Sequence, residues 1–112
     1  MFDQEIHRTL NALGIGHRFH GYTAVFDAVQ LVLEDEDRLL NFYDHVLTPL
    51  GSRYQLKPRN IERNIRTISC HAWETSRDYL CSLAGYPLTK APSVIELIEI
   101  IATSVSRGRT RR

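Results

Sequence analysis

An all-α fold, a compact bundle of about six helices containing a helix-turn-helix, is what this sequence predicts, and three observations carry it. Apolar residues recur at the three- and four-residue spacing of a buried helical face in every long segment. Glycine and proline fall at the ends of those segments, where they stop or start helices. No segment shows the strict alternation of a strand bounded by hairpin turns. The 112 residues are enough for one domain with a real core, and 43% hydrophobic with 24% charged content is ordinary for a soluble globular protein.

The first helix is expected from about Asp3 to Leu13, with Phe2, Ile6, Leu10 and Leu13 on one side and Gly14 as its stop. Asp3 and Glu5 suit the positive end of its dipole. Gly14 to Gly21 holds three glycines and reads as an irregular loop. A second helix, about Tyr22 to Leu33, is apolar on most sides (Val25, Phe26, Ala28, Val29, Val32), which suits a central position. The acidic run Glu34 to Asp37 breaks that pattern and opens a third helix through Leu39, Leu40, Tyr43, Val46 and Leu47. Thr48-Pro49 reads as an N-cap and first helical position, starting a short helix to about Tyr54. Gly51 inside it costs about 1 kcal/mol against alanine, which a close helix crossing at that point would explain.

The most informative stretch is Lys57 to Trp73, KPRNIERNIRTISCHAW. Pro58 suits the first helical position, and Lys57, ahead of a proline, is pushed out of the α region. Ile61, Ile65, Ile68 and Ala72 form a single buried face over a helix of residues 58–74. At about 100° per residue the opposite face collects Arg59, Arg63, Arg66, Thr67 and Cys70, with Asn60 and Glu62 on its flanks. A short helix, a three-residue turn (Gln55-Leu56-Lys57) and a longer helix is the arrangement in which the second helix enters a DNA major groove. Guanidinium, amide, carboxylate and hydroxyl groups are the side chains that read base edges there. The same pattern also fits a surface helix with solvated charges. A further helix spans about Ser76 to Ala84, stopped by Gly85. The last begins with the capping-box pattern Ser93-Val94-Ile95-Glu96 and runs to about Val105. The domain thus covers 1–106, and residues 107–112 (Arg107-Gly108-Arg109-Thr110-Arg111-Arg112) read as a basic disordered tail that adds non-specific attraction to phosphate.

Net charge is only +1, but its distribution is uneven. Residues 1–46 carry three arginines against eight carboxylates, net −5, and residues 47–112 carry eleven basic groups against five acidic ones, net +6. Such polarity offers phosphate one attractive side and one repulsive side. The absence of a strongly basic overall pI argues for sequence-directed reading over general phosphate binding.

No apolar run approaches the ~20 residues needed to span a bilayer, and the N-terminus lacks signal-peptide features, so a cytoplasmic location with no membrane partner is expected. Cys70 and Cys81 read as reduced thiols. His7, His17, His20, His45 and His71 lack the spacing of a structural zinc site, so no metal and no cofactor are expected. Cys70 and His71 are adjacent on a helix and point ~100° apart, which defeats a shared proton, and no phosphate-binding glycine loop occurs. No enzyme is expected.

Several landmarks carry a family resemblance: Gly21-Tyr22, Val46-Leu47 and Pro49, Glu62-Arg63 with Ile65-Arg66, Ala72-Trp73, Gly85-Tyr86, and Pro92 with Glu96. In that order and spacing, from about Phe2 to Val105, the chain resembles the C-terminal DNA-binding effector domains of stage-zero sporulation protein A, a transcription regulator. The resemblance implies a six-helix fold whose recognition helix reads a short DNA box, often as two domains head-to-tail on the duplex. It puts base reading on Glu62, Arg63 and Arg66, with Asn60 and Thr67 beside them. Thr67 stands where the family has histidine, and Asn60 where it has arginine, so half-site preference is expected to differ. The family's regulator also carries a receiver domain that this chain, starting at Met1, lacks, which fits an excised domain or a stand-alone relative.

Arg63, nearest the centre of the exposed face, is the first candidate for a bidentate pair with guanine. Arg66 could do the same or hold a phosphate, Glu62 could accept from cytosine or pair with Arg66, and Asn60 could bond adenine or extend the turn chemistry. Arg53, Lys57, Arg59 and Lys90 are the phosphate candidates, with solvated surface charge as the alternative for each. Trp73, after Ala72 at the buried end of the helix, reads as core. The expected function is a sequence-specific DNA-binding transcription regulator acting on double-stranded DNA, with a head-to-tail homodimer and RNA polymerase as further partners. The alternative is a protein-interaction module or antagonist that keeps the fold without reading DNA.

Overall fold

The computed structural model describes residues 2–110, with side chains through Arg107. Six α-helices follow in order: α1 (Asp3–Ala12), α2 (Tyr22–Glu34), α3 (Thr48–Tyr54), α4 (Pro58–Thr75), α5 (Arg77–Ala84) and α6 (Val94–Thr110). Between α2 and α3 lie a 3₁₀ helix (Glu36–Asn41) and a π-helical turn (Tyr43–Leu47). No strand occurs among the described residues, and the all-α bundle read from the sequence is the observed architecture.

The helix ends follow from local chemistry. Gly14, at φ 81°, lets the N–H of Ile15 reach Leu10 O (2.9 Å) and its own N–H reach Asn11 O (3.0 Å), satisfying carbonyls that α1 would leave open. Leu10 and Ile15 are both fully buried beside this turn. Gly85 closes α5 in the same left-handed region at φ 83°. At the start of α6, Ser93 Oγ accepts the Glu96 N–H at 3.1 Å, which is half of the expected capping box. The other half is absent, because the Glu96 carboxylate accepts the Tyr86 hydroxyl at 2.8 Å.

The segment read as one helix through Leu39, Leu40, Tyr43, Val46 and Leu47 is built differently. Asp35 is extended (φ −158°, ψ 100°) and its carboxylate accepts the Asp37 N–H at 3.1 Å, so α2 ends and a tight 3₁₀ coil begins. Tighter winding takes Leu40 off the core face, and it stands 86% exposed. Past Phe42 the coil widens, and the Thr48 N–H bonds Tyr43 O, five residues back. The reason is Pro49, which donates no N–H and whose ring would press on the carbonyl four residues earlier. Leu47 and Thr48 both have right-handed helical dihedrals, so the chain enters α3 without a break. Thr48 is therefore not the N-cap that its sequence position suggests, since a continuous helix leaves it nothing to cap.

The core places α2 and α6 side by side, with α1 and α4 packed on them. Val25, Ala28, Val29 and Val32 of α2 meet Leu97, Ile98, Ile101 and Val105 of α6 in one buried cluster. Helix α6 runs on through Thr110, past the expected end at Val105, and Arg107 donates to Leu83 O at 3.2 Å. The start proposed for a disordered tail thus falls within α6, while Arg111 and Arg112 lie outside the described residues.

Candidate nucleic-acid interface

The geometry of the two-helix unit is set at the turn between α3 and α4. Gln55 adopts the left-handed conformation (φ 58°), and the Leu56 N–H folds back to Gly51 O at 2.9 Å. A Cβ on Gly51 would lie 2.7 Å from Leu56 O, so glycine is required by the turn's own backbone rather than by a crossing helix. Lys57 is extended (ψ 141°) ahead of Pro58, which opens α4 as its sequence implies.

Ile61, Ile65, Ile68 and Ala72 of α4 are buried, the stripe expected from their spacing. Each fully buried isoleucine contributes about 1.5–3 kcal/mol, several times a surface ion pair, so the apolar stripe decides which side of α4 faces out. Ser69 is also fully buried, which its type did not suggest, and its hydroxyl donates to Pro92 O at 2.6 Å. That bond fixes the segment before α6, which bears Lys90, along one flank of α4.

Arg59, Arg63, Arg66, Thr67 and Cys70 are exposed on the outward side, with Asn60 and Glu62 half-buried at its margins. Asn60, Arg63 and Thr67, at i, i+3 and i+7, form one row. Arg63 has no side-chain partner among the described residues. Thr67 Oγ1 donates back to Arg63 O at 3.1 Å, which leaves the oxygen of this exposed side chain able to accept. Arg66 lies 3.5 Å from Glu62 with both side chains open to water (59% and 39% exposed). An i,i+4 pair of this kind is worth about 0.3–0.5 kcal/mol, far below the ~1–3 kcal/mol of a bidentate arginine–guanine pair. Arg66 therefore yields readily to a stronger partner.

Lys57, Arg59 and Lys90 are exposed. Arg53 differs, lying 3.4 Å from Asp27 Oδ2 of α2. Asp27 also accepts the Tyr54 hydroxyl, so one carboxylate ties α3 to the central helix through two successive residues. Burial, then the hydrogen bond to Asp27, push the Tyr54 hydroxyl above its ordinary pKa. This anchor was missed from sequence, although a lone carboxylate within the apolar run of α2 was its signal. Trp73 is partly buried against the core, with the Arg77 guanidinium 4.1 Å from its ring centre, an i,i+4 stack.

The loop between α1 and α2, to which the sequence pattern assigns no role, lies against α4. A Cβ on Gly21 would stand 2.7 Å from Asn64 O and 2.9 Å from Ile68 Cδ1, so glycine there permits contact between the start of α2 and the backbone of α4. Phe19 packs on His71 with ring centres 4.6 Å apart. His7 stacks on Tyr22, whose hydroxyl hydrogen-bonds His7 Nδ1, and the His17 ring lies tilted against both. Among the described residues no three His, Cys, Asp or Glu side chains gather as a metal site would need.

A family model described as "Sporulation initiation factor Spo0A C terminal" matches residues 6–105. The chain belongs to that family. The match takes in α1 through most of α6, and so every element that positions the exposed side of α4. Spo0A C-terminal domains form a family of DNA-binding domains of a sporulation regulator, not of enzymes. No helix among the described residues is long and apolar enough to cross a membrane.

Proposed function

We propose that this chain is a sequence-specific DNA-binding transcription regulator whose α4 lies in the major groove. The observation that carries the proposal is Arg63: exposed, without a side-chain partner among the described residues, and centred on a helix whose opposite face is locked into the core. A guanidinium so presented can give two parallel N–H donors to guanine O6 and N7. Arg66 exchanges Glu62 for a base edge, and Glu62 is then released to accept from cytosine N4. Asn60 and Thr67 read the neighbouring positions, adenine and the thymine methyl being their natural partners.

Lys57, Arg59 and Lys90 hold phosphates, which position the domain without specifying sequence. Arg53, whose own side chain is half-exposed, joins them by trading the largely buried Asp27 carboxylate for phosphate while the Tyr54 hydroxyl stays on Asp27. Two copies bind head-to-tail on adjacent boxes, and the regulator acts on RNA polymerase from there.

The test is binding of a cognate and a random duplex by fluorescence anisotropy across a salt series. Arg63→Ala is expected to weaken cognate binding by about 5- to 150-fold, the equivalent of ~1–3 kcal/mol, with little change on random DNA. Lys57→Ala is expected to weaken both alike and to lower the salt slope by about 1. Equal losses for both variants on both duplexes would refute these roles. Failure of the parent to bind either duplex would favour an interaction module that keeps the fold without reading DNA.

A further inference from the structure

We propose that the loop between α1 and α2 is a second phosphate-binding element, in which Arg18, assisted by His20, grips the DNA backbone on the Thr67 side of α4. The proposal rests on the groove-reading role of α4 and adds a site that the charge distribution along the chain argued against. Residues 1–46 are net −5, which read as the side turned away from DNA.

Three observations place this loop at the interface. Arg18, Phe19, His20 and Gly21 form one wall of a surface cleft of about 310 Å³, and Asn64, Thr67 and Ile68 of α4 form the other. Thr67 belongs to the row with Asn60 and Arg63, so the cleft opens beside the exposed side of α4. Next, the loop is held firmly. Phe19 N–H bonds Gly16 O at 3.1 Å, Tyr22 N–H bonds Phe19 O at 3.0 Å, and Gly21 abuts the α4 backbone. Finally, Arg18 and His20 are exposed and have no side-chain partner among the described residues. Preorganised, unpaired donors lose little on binding a phosphodiester, and even a neutral imidazole retains one N–H to donate.

The placement also has a geometric logic. A helix lying in a groove about 12 Å wide has a sugar-phosphate wall on each side. The Ser69–Pro92 bond brings the Lys90 segment along one flank of α4. The opposite flank, bearing Asn64, Thr67 and His71, is covered by the loop that carries Arg18 and His20. Each wall thus meets one cationic loop, and the two together fix the angle at which α4 enters.

The test compares the parent with Arg18→Ala, Arg18→Lys and the double variant Arg18→Ala/His20→Ala on a duplex selected for tight binding and on a random duplex. Loss of one phosphate contact lowers the log–log salt slope by about 0.9 and weakens both duplexes alike, by about 3- to 10-fold at moderate salt. Arg18→Lys is expected to keep the slope, since either cation serves a phosphate. The double variant is expected to be weaker still. An unchanged slope and affinity in Arg18→Ala, in a protein whose Arg63→Ala variant still loses cognate binding, overturns this proposal and leaves the reading of α4 intact. A loss confined to the selected duplex also overturns it, by assigning Arg18 to base reading. A parent that binds neither duplex removes both readings together.

Discussion

Replacing Gly51 by alanine separates helix propensity from the geometry of the turn, because the two act in opposite directions. In a helix interior alanine is favoured over glycine by about 0.8–1 kcal/mol, so propensity alone predicts a stabler protein. The added Cβ, however, lies 2.7 Å from Leu56 O, with Pro58 Cδ and Cγ at 3.5 Å. The atom met is a backbone carbonyl in a turn held by the Leu56 N–H bond to Gly51 O, so relief requires moving the chain rather than rotating a side chain. Overpacking of this kind costs about 1–3 kcal/mol, which exceeds the propensity gain over most of its range. A net loss of about 1 kcal/mol is expected, a shift of roughly 0.3–1 M in the urea midpoint at unchanged m-value. Gly16→Ala is the control: nothing lies within 4 Å of its Cβ and its φ is not in the left-handed region, so it is expected to fall within about 0.5 kcal/mol of the parent. If Gly51→Ala proves as stable as the parent or stabler, the account of the turn is wrong.

Two further outcomes follow from single contacts. Ser69→Ala leaves Pro92 O without its buried donor and is expected to cost about 1–3 kcal/mol by thermal or urea unfolding, with weaker binding to all DNA as the Lys90 segment loosens. At alkaline pH, Tyr54 gives a slope of known sign. Its pKa is raised in the folded protein, by burial first and then by the hydrogen bond to Asp27, so its contribution is intact below the unfolded value of about 10 and is lost as pH rises above it. Tyr54→Phe is expected to flatten the fall in stability measured above pH 10, but only in part. Tyr22, raised by burial, and Tyr86, raised chiefly by its bond to Glu96, contribute slopes of the same sign.

How legible each part was depended on whether its cause was local. The boundaries and orientation of α4 could be read because Lys57-Pro58 acts on adjacent dihedrals and the isoleucine stripe repeats within one helix. The Arg66–Glu62 pair was legible for the same reason, as a four-residue spacing. The coil from Glu36 to Leu47 was not, because its two windings answer to Asp35 at one end and Pro49 at the other, while its apolar residues suit an ordinary helix. Asp27 holding Arg53 and Tyr54, Ser69 holding Pro92, and the Arg18 loop beside Thr67 all join residues distant in the chain. Periodicity carries no information about such contacts. Gly51 was noticed as a cost, but its cause was a backbone carbonyl that only the folded turn brings near.

The most direct test of the account is selection of bound duplexes from a random pool, run in parallel with the parent and with Arg63→Ala. The parent is expected to enrich a short box with a guanine at one fixed position, and the variant to enrich the same box with that position randomised. A parent that enriches no box, or a variant that keeps the guanine unchanged, would contradict the claim that α4 reads bases through Arg63.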